Sequence, residues 1–340
     1  MTWSILILLA FILGFVANRT TLCAVKAVSD VLFLHDTKTL ISFGKIMLWA
    51  FCISTLLVWG FDTSPIHYQN HALSYGTISG GVLLGVGAVL NGGCALHTLL
   101  RLGRGDIGML ISLIGISTSP FVYDWVQSTL PVIGVKTSVG TIPSLYLFDT
   151  NSSYKLVFTA FVILWMCIES INLFRNFKIS ELKQRLVADC YQLSSASAIL
   201  GISNGILFAI VGTWSYTHTL LKSITEFAYQ PTEHSSAIPV LLWCLSLSLF
   251  SGIVISSYLK GKLSIQLKPN PMWANYFVGG LFMGTGALLI PGGNDTLLLS
   301  AIPGASPHAI PAYLSMLVGI AISLLLKMGF TNRKLRFQQS

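Results

Sequence analysis

Long apolar stretches separated by short polar segments run along the whole chain. Nine of them have about the length that a transmembrane helix needs, roughly 20 mainly apolar residues. They cover residues 2–17, 44–61, 76–100, 107–122, 155–173, 191–213, 238–258, 274–300 and 310–328. The third and eighth contain an internal Gly-Gly pair, and two shorter apolar segments, 20–34 and 215–230, are typical of re-entrant helices. The pattern predicts an all-α polytopic membrane protein with about nine transmembrane helices plus broken or re-entrant ones.

The composition agrees with this interpretation. Of the 340 residues, 53% are hydrophobic and 9% are charged, whereas soluble domains carry roughly 25% charged residues. A soluble protein with one large core is therefore not expected, because its surface would be too apolar. The first stretch begins at Thr2 with no basic region before it and no small-residue cleavage site after it. We therefore expect a retained span and not a cleaved signal peptide.

The basic residues predict the orientation of the chain. With nine spans, 17 of the 20 Lys and Arg residues fall on one side of the membrane, and only Lys136, Lys155 and Lys222 fall on the other. The positive-inside rule places the larger group in the cytoplasm, so the N-terminus is predicted outside and the C-terminus inside. The net charge of +8 is thus explained by basic loops that set the topology, before any anionic partner is considered. The sequence has no basic run or aromatic ladder, so no nucleic-acid partner is expected.

Two segments of the chain resemble each other. SGGVLLGVGAVLNGGCALHTLLRLGRGD (79–106) and VGGLFMGTGALLIPGGNDTLLLSAIPGASP (278–307) share the order GG-x₃-G-x-GA followed by a second GG. A one-residue slip aligns Gly92 and Gly93 with Gly292 and Gly293, and this slip sets Cys94 opposite Asn294.

The repeated segments lie on spans of opposite direction. The repeat therefore predicts two inverted halves, residues 1–122 and 191–340, joined by a connecting region, 123–190, that contains the fifth span. In transporters with inverted repeats, broken helices from the two halves form the substrate site near the middle of the bilayer.

The Gly-Gly pairs predict where such a pathway lies. Gly92 and Gly93 are expected to break the third span, so that backbone amides and the Cys94 thiol face the pathway. Amides at a helix N-terminus carry partial positive charge, and a thiol is a weak, polarizable contact that lets an anion leave again. The alternative is that Cys94 and Cys23 pack as small hydrophobes, the usual behaviour of a buried free cysteine.

The remaining four cysteines do not lie beside a helix break, so packing is expected for them. They are Cys52, Cys167, Cys190 and Cys244.

The polar residues near the breaks have several interpretations. His97 lies about one turn after Cys94 and is either a proton carrier or, as we favour, a donor in helix packing. Arg101, Arg104 and Asp106 indicate a capped turn with arginines that set the topology, which we favour over attraction of an anion. Asn294 and Asp295 follow the second break and are expected to cap the next helix, although Asp295 also fits pairing with a buried donor or coupling to a proton.

Three sequence elements resemble the YeeE/YedE family of sulfur-transport membrane proteins. They are GFVANRTTLCAVKAVSD (14–30), GVGAVLNGGCALHTLLRLGRGD (85–106) and GTGALLIPGGNDTLLL (284–299). The resemblance implies uptake of thiosulfate along a narrow pathway lined by a short series of cysteines. Cys23 matches the first of these and Cys94 the second, while the place of the third is taken by Asn294.

The resemblance also implies a setting and partners. It places the protein in the inner membrane of a bacterial cell, with a small inorganic anion, the lipid bilayer and a cytoplasmic sulfur-handling protein as partners. The expected pathway residues are those at the two breaks together with Cys23: Cys23, Gly92, Gly93, Cys94, His97, Gly292, Gly293 and Asn294.

Two other functions stay open at this point. One is a permease for a different ion or a selenium compound, which the missing third cysteine favours. The other is a membrane-embedded sulfurtransferase that holds a persulfide on Cys94. Such a cysteine usually needs a neighbouring base or metal; His97 is the one base nearby, and no nucleotide or metal motif accompanies it. Transport without cofactor or metal, and not enzymatic activity, is therefore the expectation.

Overall fold

The computed structural model describes residues 2–20, 22–61, 70–129, 138–140, 152–175, 190–229, 237–266 and 271–338. The first half contains α1 (Thr2–Thr20), α2 (Ala24–Ser29, continued by a π-helical turn, Asp30–Leu34), α3 (Lys38–Phe61), α4 (Tyr75–Asn91), α5 (Ala95–Leu102) and α6 (Met109–Thr129). After α7 (Ser152–Arg175) follow α8 (Leu193–Val211), α9 (Tyr216–Tyr229), α10 (Ala237–Leu259), α11 (Trp273–Leu289), α12 (Asn294–Thr296, continued by a π-helical turn, Leu297–Ala301) and α13 (Ala309–Gln338). Two short strands, β1 (Asn70–His71) and β2 (Ser138–Gly140), pair antiparallel.

The predicted all-α multi-pass fold is confirmed. Within the described residues, seven helices are long and apolar enough to cross a membrane, and the pair α11–α12, bent by 46°, makes an eighth if it counts as one span. The predicted fifth span lies on α7, in which Thr159–Leu173 is the apolar stretch within the described side chains. The count of nine crossings therefore stays a prediction that depends on α7. The two short segments predicted as re-entrant form α2 with its π-helical turn, and α9.

The helices of the two halves pack in matching pairs. If α1–α6 are matched in order with α8–α13, the packing of α3 on α8 corresponds to that of α10 on α1, and α6 on α11 corresponds to α13 on α4. The packed pairs α4–α11 and α1–α8 each join a helix to its own counterpart in the other half. This is the pattern expected of two like halves related by a twofold axis, and the division into inverted halves stays a prediction.

Glycines set the distance between packed helices. A Cβ added to Gly85 on α4 would lie 2.4 Å from the carbonyl oxygen of Met316 on α13. In the other pair, a Cβ added to Gly115 of α6 would lie 2.3 Å from the carbonyl oxygen of Phe277 on α11. Small residues allow such backbone contact in membrane proteins, where packing and not the hydrophobic effect drives helix association.

α6 continues through Pro120. A proline inside a helix leaves the carbonyl four residues earlier without its N–H donor. Here the Ser119 hydroxyl donates to that carbonyl, Ile116 O, over 2.7 Å. The neighbouring side chain therefore satisfies the buried acceptor, and the helix runs on to Thr129.

The outer surface of the bundle is apolar. Large hydrophobic side chains such as Phe121, Phe161, Leu164, Leu247 and Leu314 are exposed. In a soluble protein an apolar surface of this extent would promote association, whereas in a bilayer it contacts lipid. α7 joins the bundle through the ion pair of Lys45 with Glu169.

Candidate functional site

The first helix break is a rigid turn. α4 ends at Asn91, Gly92 adopts a left-handed conformation with φ of 77°, and Gly93 N donates to Ala88 O over 2.8 Å. The Asn91 side chain spans the break, donating to Gly93 O (3.0 Å) and to the Thr98 hydroxyl (2.7 Å). The predicted interruption of the span at Gly92 and Gly93 is therefore present, and glycine suits the left-handed position.

Two cysteines directly precede short helices. Cys94 follows the first Gly-Gly break, and Cys23 follows the end of α1. Cys94 directly precedes α5, and its carbonyl accepts from Thr98 N over 2.9 Å. Cys23, in extended backbone, directly precedes α2, and its carbonyl accepts from Ala27 N over 2.9 Å. Both side chains are buried.

The structure brings the two thiols together. The Cys23 and Cys94 side chains lie in one buried cluster, close enough for their thiols to interact. The backbone amides of Lys26 and Cys94 lie near the Cys23 sulfur, and those of Ala24 and His97 lie near the Cys94 sulfur. Two sulfur atoms are thus surrounded by four amides from the first turns of two helices, where the partial charge is positive. Such a site suits a soft anion.

His97 lies beside this thiol pair, on α5. Its ring packs against the break, since a Cβ on Gly93 would lie 2.4 Å from the ring atom Cδ2. Its Nδ1 atom is buried and has no hydrogen-bond partner within the described residues. His97 thus packs at the break, as the sequence favours, and its Nδ1 atom is left without a hydrogen bond there.

The turn after α5 is a capped structural turn, as the sequence indicates. Arg101 donates to Asp106 Oδ2 from Nη2 (2.6 Å) and from Nε (3.0 Å), and to the Tyr276 hydroxyl (3.1 Å). Its Nη1 atom lies near Gly92, 3.5 Å from where a Cβ on that glycine would be. Arg101 therefore packs against the first break at Gly92.

The second break has a different register from the one predicted by the Gly-Gly alignment. Gly292 N donates to Ala287 O, as Gly93 N does to Ala88 O, and Leu297 N donates to Gly293 O, as Thr98 N does to Cys94 O. The counterpart of Cys94 is therefore Gly293, and the counterpart of Asn294 is Ala95.

The prediction that Asn294 occupies the place of the missing cysteine is thus wrong. The same turn closes both breaks, with Pro291 taking the place of Gly92. The two repeated segments therefore align without the one-residue slip that their Gly-Gly pairs suggest. Asn294 is buried, and its Oδ1 atom has no hydrogen-bond partner within the described residues.

Asp295 caps a neighbouring helix and not its own. The α12 segment begins after Gly293 with no side-chain cap, so the predicted capping of this helix by Asn294 and Asp295 is wrong. Instead Asp295 accepts from Thr217 N (3.1 Å) and from the Thr217 hydroxyl (2.6 Å). Thr217 lies in the first turn of α9, where free N–H groups need acceptors. The expectation that Asp295 pairs with a buried donor is confirmed.

Two hydroxyls lie together at the second break, where Ser215 takes the place of Cys23 and Thr296 takes the place of His97. Ser215 O accepts from Thr219 N at the start of α9, as Cys23 O accepts from Ala27 N at the start of α2. The Ser215 hydroxyl accepts from His218 N over 3.1 Å and lies 2.8 Å from the Thr296 hydroxyl. Sequence reasoning missed Ser215. The shared glycines make the repeat recognisable only at α4 and α11, and Ser215 lies before α9.

These features define a class of protein: an α-helical multi-pass membrane protein whose two broken helices meet beside polar groups, as in transporters of small solutes. The chain belongs to the sulphur transport family, whose model matches residues 19–322. It is similar to the thiosulfate transporter TsuA of Spirochaeta thermophila, with 24% identity over 327 residues, 89% of this chain and 92% of that protein. A shorter match, 31% identical over 104 residues, joins it to the thiosulfate transporter TsuA of Escherichia coli and covers 30% of this chain and 28% of that one. The family resemblance is confirmed.

Proposed function

We propose that this protein imports a small sulfur-containing anion, thiosulfate, across the bacterial inner membrane, and that the anion passes the Cys23–Cys94 thiol pair. The single observation that carries the proposal is the proximity of these two buried thiols to each other and to four backbone amides. The two relatives, named as thiosulfate transporters, support the choice of substrate.

The chemistry of the thiol pair suits this substrate. Thiosulfate is a doubly charged anion with a soft terminal sulfur and three oxygens. Amides at helix N-termini offset negative charge without a fixed cation, and thiols are weak donors that contact soft atoms. A site of this kind holds the anion long enough to admit it and releases it again.

The proposed pathway runs between two inverted halves, 1–122 and 191–340, with 123–190 as the connecting region. The matching helix pairs support this division. In the second half the pathway is lined by Gly292, Gly293 and Asn294 at the break and by the Ser215 and Thr296 hydroxyls. Oxygen donors there suit the sulfonate end of the anion as well as thiols suit its sulfur end.

Transport of labelled thiosulfate into proteoliposomes tests the proposal. We expect uptake of the outer-sulfur label, competition by unlabelled thiosulfate, and weaker competition by sulfate and selenite. Chromatography of the vesicle contents identifies the sulfur species that arrives. Arrival of intact thiosulfate supports transport, whereas sulfite with the outer sulfur retained on the protein indicates a sulfurtransferase. Stronger competition by selenite indicates a selenium permease.

A further inference from the structure

A second group of polar residues lies at the far end of α5. Arg104 follows α5, Lys260 follows α10, and Asn18 lies in the last turn of α1. Arg104 Nε donates to Asn18 Oδ1 over 3.0 Å, and Lys260 Nζ donates to Asn18 O over 2.9 Å. Two cations from different parts of the chain therefore converge on one residue.

Asn18 is a fixed support for these cations. It is fully buried, and its Nδ2 atom donates to Ile253 O (3.2 Å) and to the Ser257 hydroxyl (2.9 Å). The backbone of Arg104 is held as well, because its carbonyl accepts from Ser264 N over 3.0 Å. Buried hydrogen bonds thus fix Asn18, and partly buried ones join Arg104 and Lys260 to it.

The positive charge of this pair is not neutralised by an acid within the described residues. The oxygens that contact Arg104 and Lys260 belong to the neutral Asn18, and the acid of the same turn, Asp106, is engaged by Arg101. Partial burial lowers the pKa of Lys260 to about 8, and the positive charges of Arg104 and Arg19 contribute to the shift. Partly desolvated cations held together favour the arrival of an anion.

α5 joins this pair to the thiols. The thiol pair lies at the N-terminal end of α5 and Arg104 just beyond its C-terminal end. Eight residues of helix span about 12 Å at roughly 1.5 Å per residue. The cations therefore lie one short helix away from the thiol pair.

We propose that Arg104 and Lys260 form a binding site for a tetrahedral oxyanion. A guanidinium presents paired N–H donors to such an anion and an ammonium adds a point charge. The oxyanion is either the transported sulfur anion leaving the thiol pair, in which case the site rests on the proposed function, or the phosphate of an anionic lipid. Both sources share one chemistry and are separated by experiment.

The first measurement uses protein from which the thiol pair has been removed. In a Cys23→Ala/Cys94→Ala background, purified and delipidated, we measure equilibrium binding of labelled thiosulfate. If the free anion is the ligand, Arg104→Gln and Lys260→Gln each weaken the remaining binding at least tenfold, and Arg104→Lys restores part of it. Lys262→Gln, which changes an exposed neighbour, serves as the matched control and leaves binding unchanged.

The second measurement is native mass spectrometry of the otherwise unmodified protein with phosphatidylglycerol. If a lipid phosphate is the ligand, the double variant Arg104→Gln/Lys260→Gln loses the retained lipid while Lys262→Gln keeps it. If neither thiosulfate nor lipid binding changes in the folded double variant, the site proposal is overturned. Absence of thiosulfate uptake by the wild-type protein, with lipid retention that depends on Arg104, would instead remove the proposed function and leave this site standing.

Discussion

The thiols of Cys23 and Cys94 lie close to each other in one buried cluster, although the two residues precede different helices, α2 and α5. Each sulfur also lies near a backbone amide of the other residue's segment, that of Cys94 for Cys23 and that of Ala24 for Cys94. The surroundings of each thiol therefore depend on the other.

We predict that Cys94→Ala and Cys23→Ala each lower thiosulfate uptake by about 5–30-fold, since a lost contact to a buried charge is worth about 1–2 kcal/mol. Cys52→Ala and Cys244→Ala are the controls, because neither residue lies beside a break. Uptake is measured in proteoliposomes at matched protein content, with gel filtration to verify folding. Normal uptake by folded Cys94→Ala would contradict a role for the thiols.

The contact of Asp295 with Thr217 predicts a stability effect. Asp295→Ala leaves the buried Thr217 N–H and hydroxyl without their acceptor, which costs about 1–3 kcal/mol. Asp295→Asn keeps one side-chain oxygen as acceptor and is expected to cost less. Thermal unfolding of the purified variants in the same detergent measures both. Equal midpoints for Asp295→Ala and the wild type would show that this cap contributes nothing to stability.

The same carboxylate leaves little room for a side chain at Gly293. A Cβ there would lie 2.7 Å from Asp295 Oδ1 and 3.0 Å from Thr217 Cγ2, so a side chain would displace the carboxylate first. We therefore predict that Gly293→Cys is strongly destabilising alone but much less so in an Asp295→Ala background. A double-mutant cycle of unfolding free energies measures this coupling. Additive effects of the two substitutions would refute the steric explanation.

Much of this arrangement can be predicted from the sequence. The features that cannot be predicted have identifiable physical reasons. The spans and the break at Gly92 and Gly93 are predictable because apolar length and paired glycines are local signals. The register of the second break is not, because Pro291 replaces a glycine and shifts the visible Gly-Gly pair by one residue. The link of Asp295 to Thr217 and the hydroxyl pair at Ser215 depend on which helices meet, which periodicity alone does not determine.

The pKa of Lys260, about 8 in the unliganded site, predicts a pH dependence. Lys260 is cationic below this pH and neutral above it, so oxyanion binding at the Arg104–Lys260 site weakens as the pH rises through 8. The other charged or titratable groups that act on Lys260 are Arg19, Lys262 and Cys190.

Binding of labelled thiosulfate in the thiol-free background, measured from pH 6.5 to 9.5 in steps of about 0.5, tests this dependence. In Lys260→Gln the step disappears, and in Cys190→Ala it remains. A step of equal size in Lys260→Gln would assign the titration to another group.

The orientation of the chain is open to a direct test. The partition of basic residues predicts the N-terminus outside and the C-terminus inside. Reporter fusions after Arg185, after Lys222 and at Ser340 should therefore report cytoplasm, periplasm and cytoplasm. Arg185 and Ser340 lie outside the described residues, so these fusions rest on sequence alone. A periplasmic signal at Ser340 would overturn both the orientation and the inverted halves.

The close glycine contacts have a consequence for how the protein moves. α4 and α13, like α6 and α11, meet backbone to backbone at Gly85 and Gly115, and interlocked surfaces of this kind have no intermediate position in which to slide. We therefore expect these four helices to keep fixed positions relative to one another.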